Sequence, residues 1–182
     1  LEKKYKNYLN RVITASQYMS RLIDDLLRLS RVTRTNIKKE VISISEIAHQ
    51  IESNLKTLEP KRKVKFNIEQ HLEAYGDKNL IRLAMENLIN NSWKFTDNLR
   101  DVTIEVKKVK YNAGTAFIIR DNGIGFEMKY VDKLFEPFHR LNFEHPGTGI
   151  GLTTVKRIIE LHGGAIWAEG KINEGATFYF TL

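Results

Sequence analysis

Cysteine is missing from all 182 residues. Its absence excludes disulfides and thiolate metal sites. No run of 18 or more apolar residues occurs, so no segment has the pattern of a membrane-spanning helix. There is no charged-then-apolar leader either; Leu1 starts inside a helical pattern and is not a Met. This reads as a piece of a longer protein, expected in the cytoplasm, with room for a membrane anchor outside the piece. Acidic residues are outnumbered, 22 against 29 basic, for a net charge of +7. A basic chain invites a nucleic-acid reading. The charges are scattered, though: Lys3, Lys4, Lys6 and Arg11, then Lys61-Arg62-Lys63, then Lys107, Lys108 and Lys110. No helix-turn-helix, zinc-finger or RNP pattern goes with them. A solvated basic surface is the better reading, and no nucleic-acid partner is expected. The five histidines (49, 71, 139, 145 and 162) lack metal-ligand spacing.

What is present begins with a helix over residues 4–34. Tyr8, Val12, Ala15, Met19, Leu22, Leu26 and Leu29 follow a 4-3 spacing, and Leu9, Ile13, Ile23 and Leu27 widen the apolar face. So wide a stripe suits a helical bundle or dimer; the alternative is a helix packed on its own domain. Thr33 to Lys39 is polar and breaks the period, which sets boundaries at 1–34, 35–39 and 40–182. Residues 40–45 alternate as a short strand. Ser43 and Glu46 have capping-box spacing ahead of a helix that ends by Pro60. Val64, Phe66 and Ile68 mark a half-buried strand, and residues 72–75 suggest another. Asp77 caps a helix to about Trp93. Residues 102–110 and 116–120 pair across Asn112-Ala113-Gly114. A helix over 150–161 is followed by strands at 165–168 and 177–182, joined across Asn173-Glu174-Gly175. The expected class is α+β: a two-layer sandwich, with a mixed sheet of about five strands and three helices, behind one long helix.

Two glycine-rich runs stand out: Asp121-Asn122-Gly123-Ile124-Gly125 and Gly147-Thr148-Gly149-Ile150-Gly151-Leu152. Glycine lets a ligand approach the main chain, and successive free N–H groups cradle anions. The second run opens a helix, where phosphate binds well. Its GxGxG spacing fits neither a dinucleotide fingerprint nor a P-loop. Upstream, Asn87, Asn91 and Lys94 share one helical face at i, i+4, i+7. Amide oxygens suit Mg²⁺, and Lys94 can neutralise phosphate; a solvated polar face is the plain alternative. Asp121 ends an apolar strand, where its carboxylate can accept from the exocyclic amine of adenine, unless Asp-Asn-Gly is simply a turn. Between the runs, Phe135 and Phe138 read as packing anchors, and Arg140, with neighbouring His139, as a phosphate contact. Residues 126–149 form a long stretch of loop, a candidate lid.

Together these motifs resemble the catalytic ATP-binding domain of a sensor histidine kinase. This is the Bergerat fold, shared with gyrase, HSP90 and MutL. Residues 87–95 resemble its N box, 121–125 its G1 box, 135–140 its F box and 147–152 its G2 box. Gly175-Ala176-Thr177-Phe178 resembles its last conserved element. Pro146 to Leu152, with the Phe178-Tyr179-Phe180 ending, is similar to phytochrome-like and PAS-linked kinases. The resemblance implies ATP and Mg²⁺ as cofactors, with Asn91 on the metal and Asn87 supporting phosphates or metal. It implies Lys94, His139 and Arg140 near the phosphates, and Asp121 on adenine N6 with Thr177 nearby. Gly123 and Gly125 would give clearance at the base. Gly147, Thr148, Gly149, Ile150, Gly151 and Leu152 would form the lid hinge and phosphate cradle.

Family ATPases carry a Glu general base where this chain has Asn87; Glu86 is turned about 100° away around the helix. An amide cannot take a proton from water. The resemblance therefore favours phosphoryl transfer to a histidine over hydrolysis. Residues 4–34, with Leu22-Ile23-Asp24-Asp25-Leu26-Leu27, resemble the second helix of the family's dimerisation hairpin. No histidine here has the context of the phosphoacceptor, so phosphorylation within this chain is not expected. The implied partners are a phosphoacceptor hairpin from the same or a partner subunit, a response regulator, and a second copy in a homodimer. The alternatives are an ATPase or chaperone-type domain of the same superfamily, and a degenerate nucleotide-binding scaffold.

Overall fold

The computed structural model describes residues 2–96, 101–111, 114–142, 145 and 147–182, with side chains from residue 5 onward. The expected turn at Asn112-Ala113, Pro146, and the side chains of Lys3 and Lys4 lie outside the described residues. Helix α1 spans Glu2–Arg34, α2 Ile44–Leu58, α3 Lys78–Lys94 and α4 Gly151–His162. The main sheet holds β2 (Val64–Ile68), β4 (Val102–Tyr111), β5 (Gly114–Asp121), β7 (Gly175–Phe180) and β6 (Ile166–Lys171), in that order. β2 runs parallel to β4 and the other pairs are antiparallel, so the sheet is mixed, as expected. The parallel pair needs a crossover, and α3 lies within it. The sheet has the five strands expected. β1 (Glu40–Ser43) and β3 (Glu73–Gly76) pair with each other as a separate two-stranded sheet. The expected loop at 126–149 also contains a 3₁₀ helix, Met128–Phe135.

Alternation places the core. Val102, Ile104 and Val106 of β4 are buried, and Ile119 and Phe180 continue that face across β5 and β7. Helices cover it with Ile47 and Ile51, Leu88 and Ile89, and Ile158 and Ile159. The opposite face carries an aromatic ladder. Trp167 stacks on Tyr179 at 5.3 Å and meets Tyr111 at 4.3 Å.

Two helix starts follow their local sequence. Ser43 accepts from the Glu46 N–H at 3.1 Å. Asp77 accepts from the N–H groups of Asn79 and Leu80, each at 3.1 Å. Asp77 is also a junction. Its other oxygen accepts from the Lys38 N–H at 3.0 Å, and its own N–H donates to His162 Nε2 at 2.9 Å. A backbone N–H cannot accept, so Nε2 is unprotonated and the proton sits on Nδ1, which donates to Ile158 O at 2.7 Å. Lys39 Nζ reaches His162 O at 2.9 Å. The segment after α1 is thus fastened to α3 and α4.

Two expectations need correcting. The seam on α1 is divided. Tyr18, Leu22, Asp25 and Leu29 are half-buried and Val32 is buried, so this ridge packs on the chain's own domain beside α4. Val12, Met19 and Leu26 stay exposed. Nor is Arg62 part of a solvated basic surface. Its guanidinium covers the Trp93 ring at 4.4 Å and donates to Thr96 Oγ1 at 3.1 Å. An apolar stem and a planar cation make arginine suited to this role.

Candidate functional site

A cleft of about 480 Å³ opens between α3, the two glycine runs and α1. The α3 helix has two faces. Leu80, Ile81, Ala84, Met85, Leu88 and Ile89 enter the core, while Asn87, Asn90, Asn91 and Lys94 line the cleft. Asn87 Nδ2 donates to Leu83 O at 2.8 Å, one turn back. That fixes the amide, and its oxygen faces the second glycine run. A Cβ placed on Gly151 would lie 2.7 Å from Asn87 Oδ1. Lys94 Nζ lies over the Phe95 ring at 4.1 Å. Burial first, and nearby Arg140 second, bring its pKa down to about 8.

Asp121, at the end of β5, is 5% exposed. Oδ1 accepts from the N–H groups of Gly123 (2.9 Å) and Ala176 (3.3 Å), and Oδ2 accepts from Ser92 Oγ at 2.9 Å. Burial pushes its pKa up, and these hydrogen bonds pull against that. A carboxylate offers about four acceptor sites, so this one retains capacity for a ligand N–H. The cleft lining therefore combines a buried carboxylate, Asp121, with two cationic side chains, Lys94 and Arg140.

The structure brings most of the anticipated residues together. Asn87, Asn91, Lys94, Asp121, Gly125, His139 and Arg140 line one cleft. So do Gly147, Thr148, Gly149, Gly151 and Leu152. Three do not. Thr177 pairs with Arg120 and Glu169 on the outer sheet face; its neighbours Ala176 and Phe178 face the cleft instead. In a strand the side-chain period is two, so a shift of one residue changes the face. Ile150 is fully buried and its carbonyl caps α4, accepting from Thr154 N–H at 2.9 Å. Gly123 lies outside the lining. A Cβ there would meet Phe95 O at 2.4 Å, and one on Gly125 would meet Lys171 O at 2.0 Å. Both glycines give clearance between main chains. Gly125 also has φ +62. Phe135 packs against the core as expected, but Phe138 is 56% exposed with φ +64. Its backbone N–H, not its ring, makes the contact, donating to Gly149 O at 3.1 Å.

Sequence reasoning missed Ser92, Ala176, Phe178 and the wall contributed by α1. Adjacency to Asn91 hinted at Ser92, and strand parity from buried Phe180 would have located Ala176 and Phe178. Nothing local pointed to α1.

Residues 76–182 match the family described as histidine kinase-, DNA gyrase B-, and HSP90-like ATPase. That is more than half of the chain, and the chain belongs to this family. Cyanobacterial phytochrome B of Nostoc sp. is 38% identical over 182 residues, 97% of this chain and 24% of that protein. The methanogenesis regulatory histidine kinase FilI of Methanothrix harundinacea is 35% identical over 165 residues, 90% of this chain and 19% of that one. Full-length ShkA, solved in complex with AMPPNP, has the same fold. It aligns with a TM-score of 0.73 over 96% of this chain and 38% of its own, at 22% identity. The domain is thus an ATP-binding domain of the histidine-kinase type. The chain spans a quarter or less of the length of these two curated relatives. No described helix is long and apolar enough to cross a membrane.

Proposed function

We propose that this chain is the nucleotide-binding, phosphoryl-donating part of a sensor histidine kinase, organised as a hairpin helix (1–34), a linker (35–39) and a catalytic domain (40–182). The observation that carries this reading is the single cleft that brings Asp121, Lys94, Arg140, Asn87 and Asn91 together. The spare acceptor of buried Asp121 suits the N6 amine of adenine, which guanine lacks at that position. Lys94 and Arg140 suit the phosphates. Asn87 and Asn91 fit Mg²⁺, because hard amide oxygens from a few protein groups leave the remaining positions to water and phosphate. Among the described residues no cluster of three carboxylates or histidines competes for a metal. When bound, the ion would neutralise phosphate charge.

Phosphoryl transfer asks the protein mainly for positioning and charge neutralisation. Asn87, held by Leu83 O, stands at the site where a hydrolase needs a base, and an amide cannot serve as one. The acceptor is accordingly a histidine on a separate hairpin, with onward relay to a response-regulator aspartate and a homodimer as the working unit.

The test is transfer in trans. The chain, Mg·ATP and a separate acceptor hairpin of the family are mixed, and phosphohistidine is measured. Transfer should appear and should fall in Asp121→Asn, whose ATP affinity drops by about 1.5–3 kcal/mol while GTP binding stays weak. ATP hydrolysis that outpaces transfer and is lost in Glu86→Gln would favour the ATPase alternative instead. Absence of binding at millimolar nucleotide would favour the scaffold.

A further inference from the structure

The cleft has a wall outside every motif. Helix α1 lies along its mouth, and Arg21, Asp24, Asp25 and Arg28 line it with Lys94 and Arg140. The spacing i, i+3, i+4, i+7 puts these four on one helical stripe. At about 100° per residue, that stripe is turned roughly a third of a circle from the Leu22, Leu26 and Leu29 line. The helix thus carries an apolar face and, separately, a charged face directed at the cleft.

The charged face is fastened. Thr148 of the second glycine run donates its hydroxyl to Asp25 Oδ2 at 2.5 Å, joining residues 123 apart in sequence. A hydrogen bond to a carboxylate of this length belongs to the strong, charge-assisted class. It also sets α1 beside the second glycine run: Thr148 neighbours Gly147, where a Cβ would come within 3.4 Å of Lys94 Nζ. Asp25 lies one turn from Arg21 and one turn from Arg28. Among the described residues no ion pair within 4.0 Å ties either arginine to Asp24 or Asp25. Arg21 Nε donates to Gln17 O at 3.3 Å, which leaves its terminal nitrogens.

We propose that Arg21 and Arg28 bind the terminal phosphate of the nucleotide, carried to the cleft by α1 and held there by the Asp25–Thr148 hydrogen bond. The inference rests on the nucleotide reading of the cleft. A planar guanidinium takes two phosphate oxygens at once, which a lysine ammonium does not. The aspartates between them repel phosphate, and Asp25 has its carboxylate engaged by Thr148. Contact with the last phosphate alone would separate ATP from ADP by the position of α1.

Calorimetric titration of the whole chain with Mg·ATP and with Mg·ADP tests this. Arg21→Gln and Arg28→Gln lie on helix surface, and Gln is a good helix former. Each should weaken ATP by about tenfold and ADP by less than about twofold, a difference of one terminal contact. Arg28→Lys should recover part of the loss. Asp25→Ala gives an opposite-sign control. If the carboxylate only repels phosphate, ATP affinity rises; if it holds α1 in place, ATP affinity falls. Equal losses for ATP and ADP, no loss in either glutamine variant, or a rise in Asp25→Ala would overturn the proposal. A parent chain that binds neither nucleotide would sink the cleft reading along with it, whereas a parent that binds ATP with unaffected arginine variants sinks this inference alone.

Discussion

Lys94 is the residue whose chemistry the fold alters most usefully. Burial, with Arg140 beside it, brings its pKa from the ordinary 10.5 to about 8. Without ligand its ammonium is thus partly lost just above neutrality, while a bound phosphate favours the ammonium. ATP affinity should therefore hold steady below pH 8 and decline as pH rises through it, by at most about tenfold per unit. Lys94→Arg stays charged and should flatten that profile in titrations on either side of pH 8. The same shift bears on folding. The unfolded chain binds the extra proton between about 8 and 10.5, so Lys94's contribution makes the empty protein more stable with rising pH across that window. At this scale the sequence was legible in part. Asp121 and the Asn87–Lys94 face are read from one strand end and one helical period. Ser92 belongs with Asp121 only because α3 crosses the end of β5, and no spacing along the chain encodes that meeting.

At the scale of elements, Asp77 does more than cap α3. Its pKa is lowered: burial opposes this, but the N–H groups of Lys38, Leu80 and Asn79 prevail. The stability this gives is present above the ordinary carboxylate pKa of 3.8 and is lost as pH falls through the lower folded value. Asp77→Ala should cost about 1–3 kcal/mol in urea denaturation, while Asp77→Asn keeps most of the cap. Both capping residues, Ser43 and Asp77, could be read from sequence because a cap is a local bond across two or three residues. The pairing of β1 with β3 could not, since their alternation says only that each is half-buried. Thr177 went to the wrong side for a related reason. The motif located the strand, but its register with β5 decides which face each residue takes.

At the scale of the whole molecule, α1 turns different surfaces to different neighbours. Leu22, Leu29 and Val32 meet the domain; Val12 (65% exposed), Met19 (56%) and Leu26 (43%) face outward. A bare apolar row of this kind is matched by a second helix of the same type, and the chain should self-associate through it. Val12→Glu combined with Met19→Glu should yield a monomer in sedimentation while leaving domain melting in place, since neither side chain packs on the domain.

The glycine contacts bear on how this family is read in descent. Gly123, Gly125 and Gly175 each press against main chain, at Phe95, Lys171 and Asp121, where a methyl group has no room. A descendant that had ceased to bind ATP would still have to keep them in order to fold. Those glycines are therefore markers of ancestry, and a lapsed member of the lineage would betray itself first at Asn91, Lys94 and Asp121.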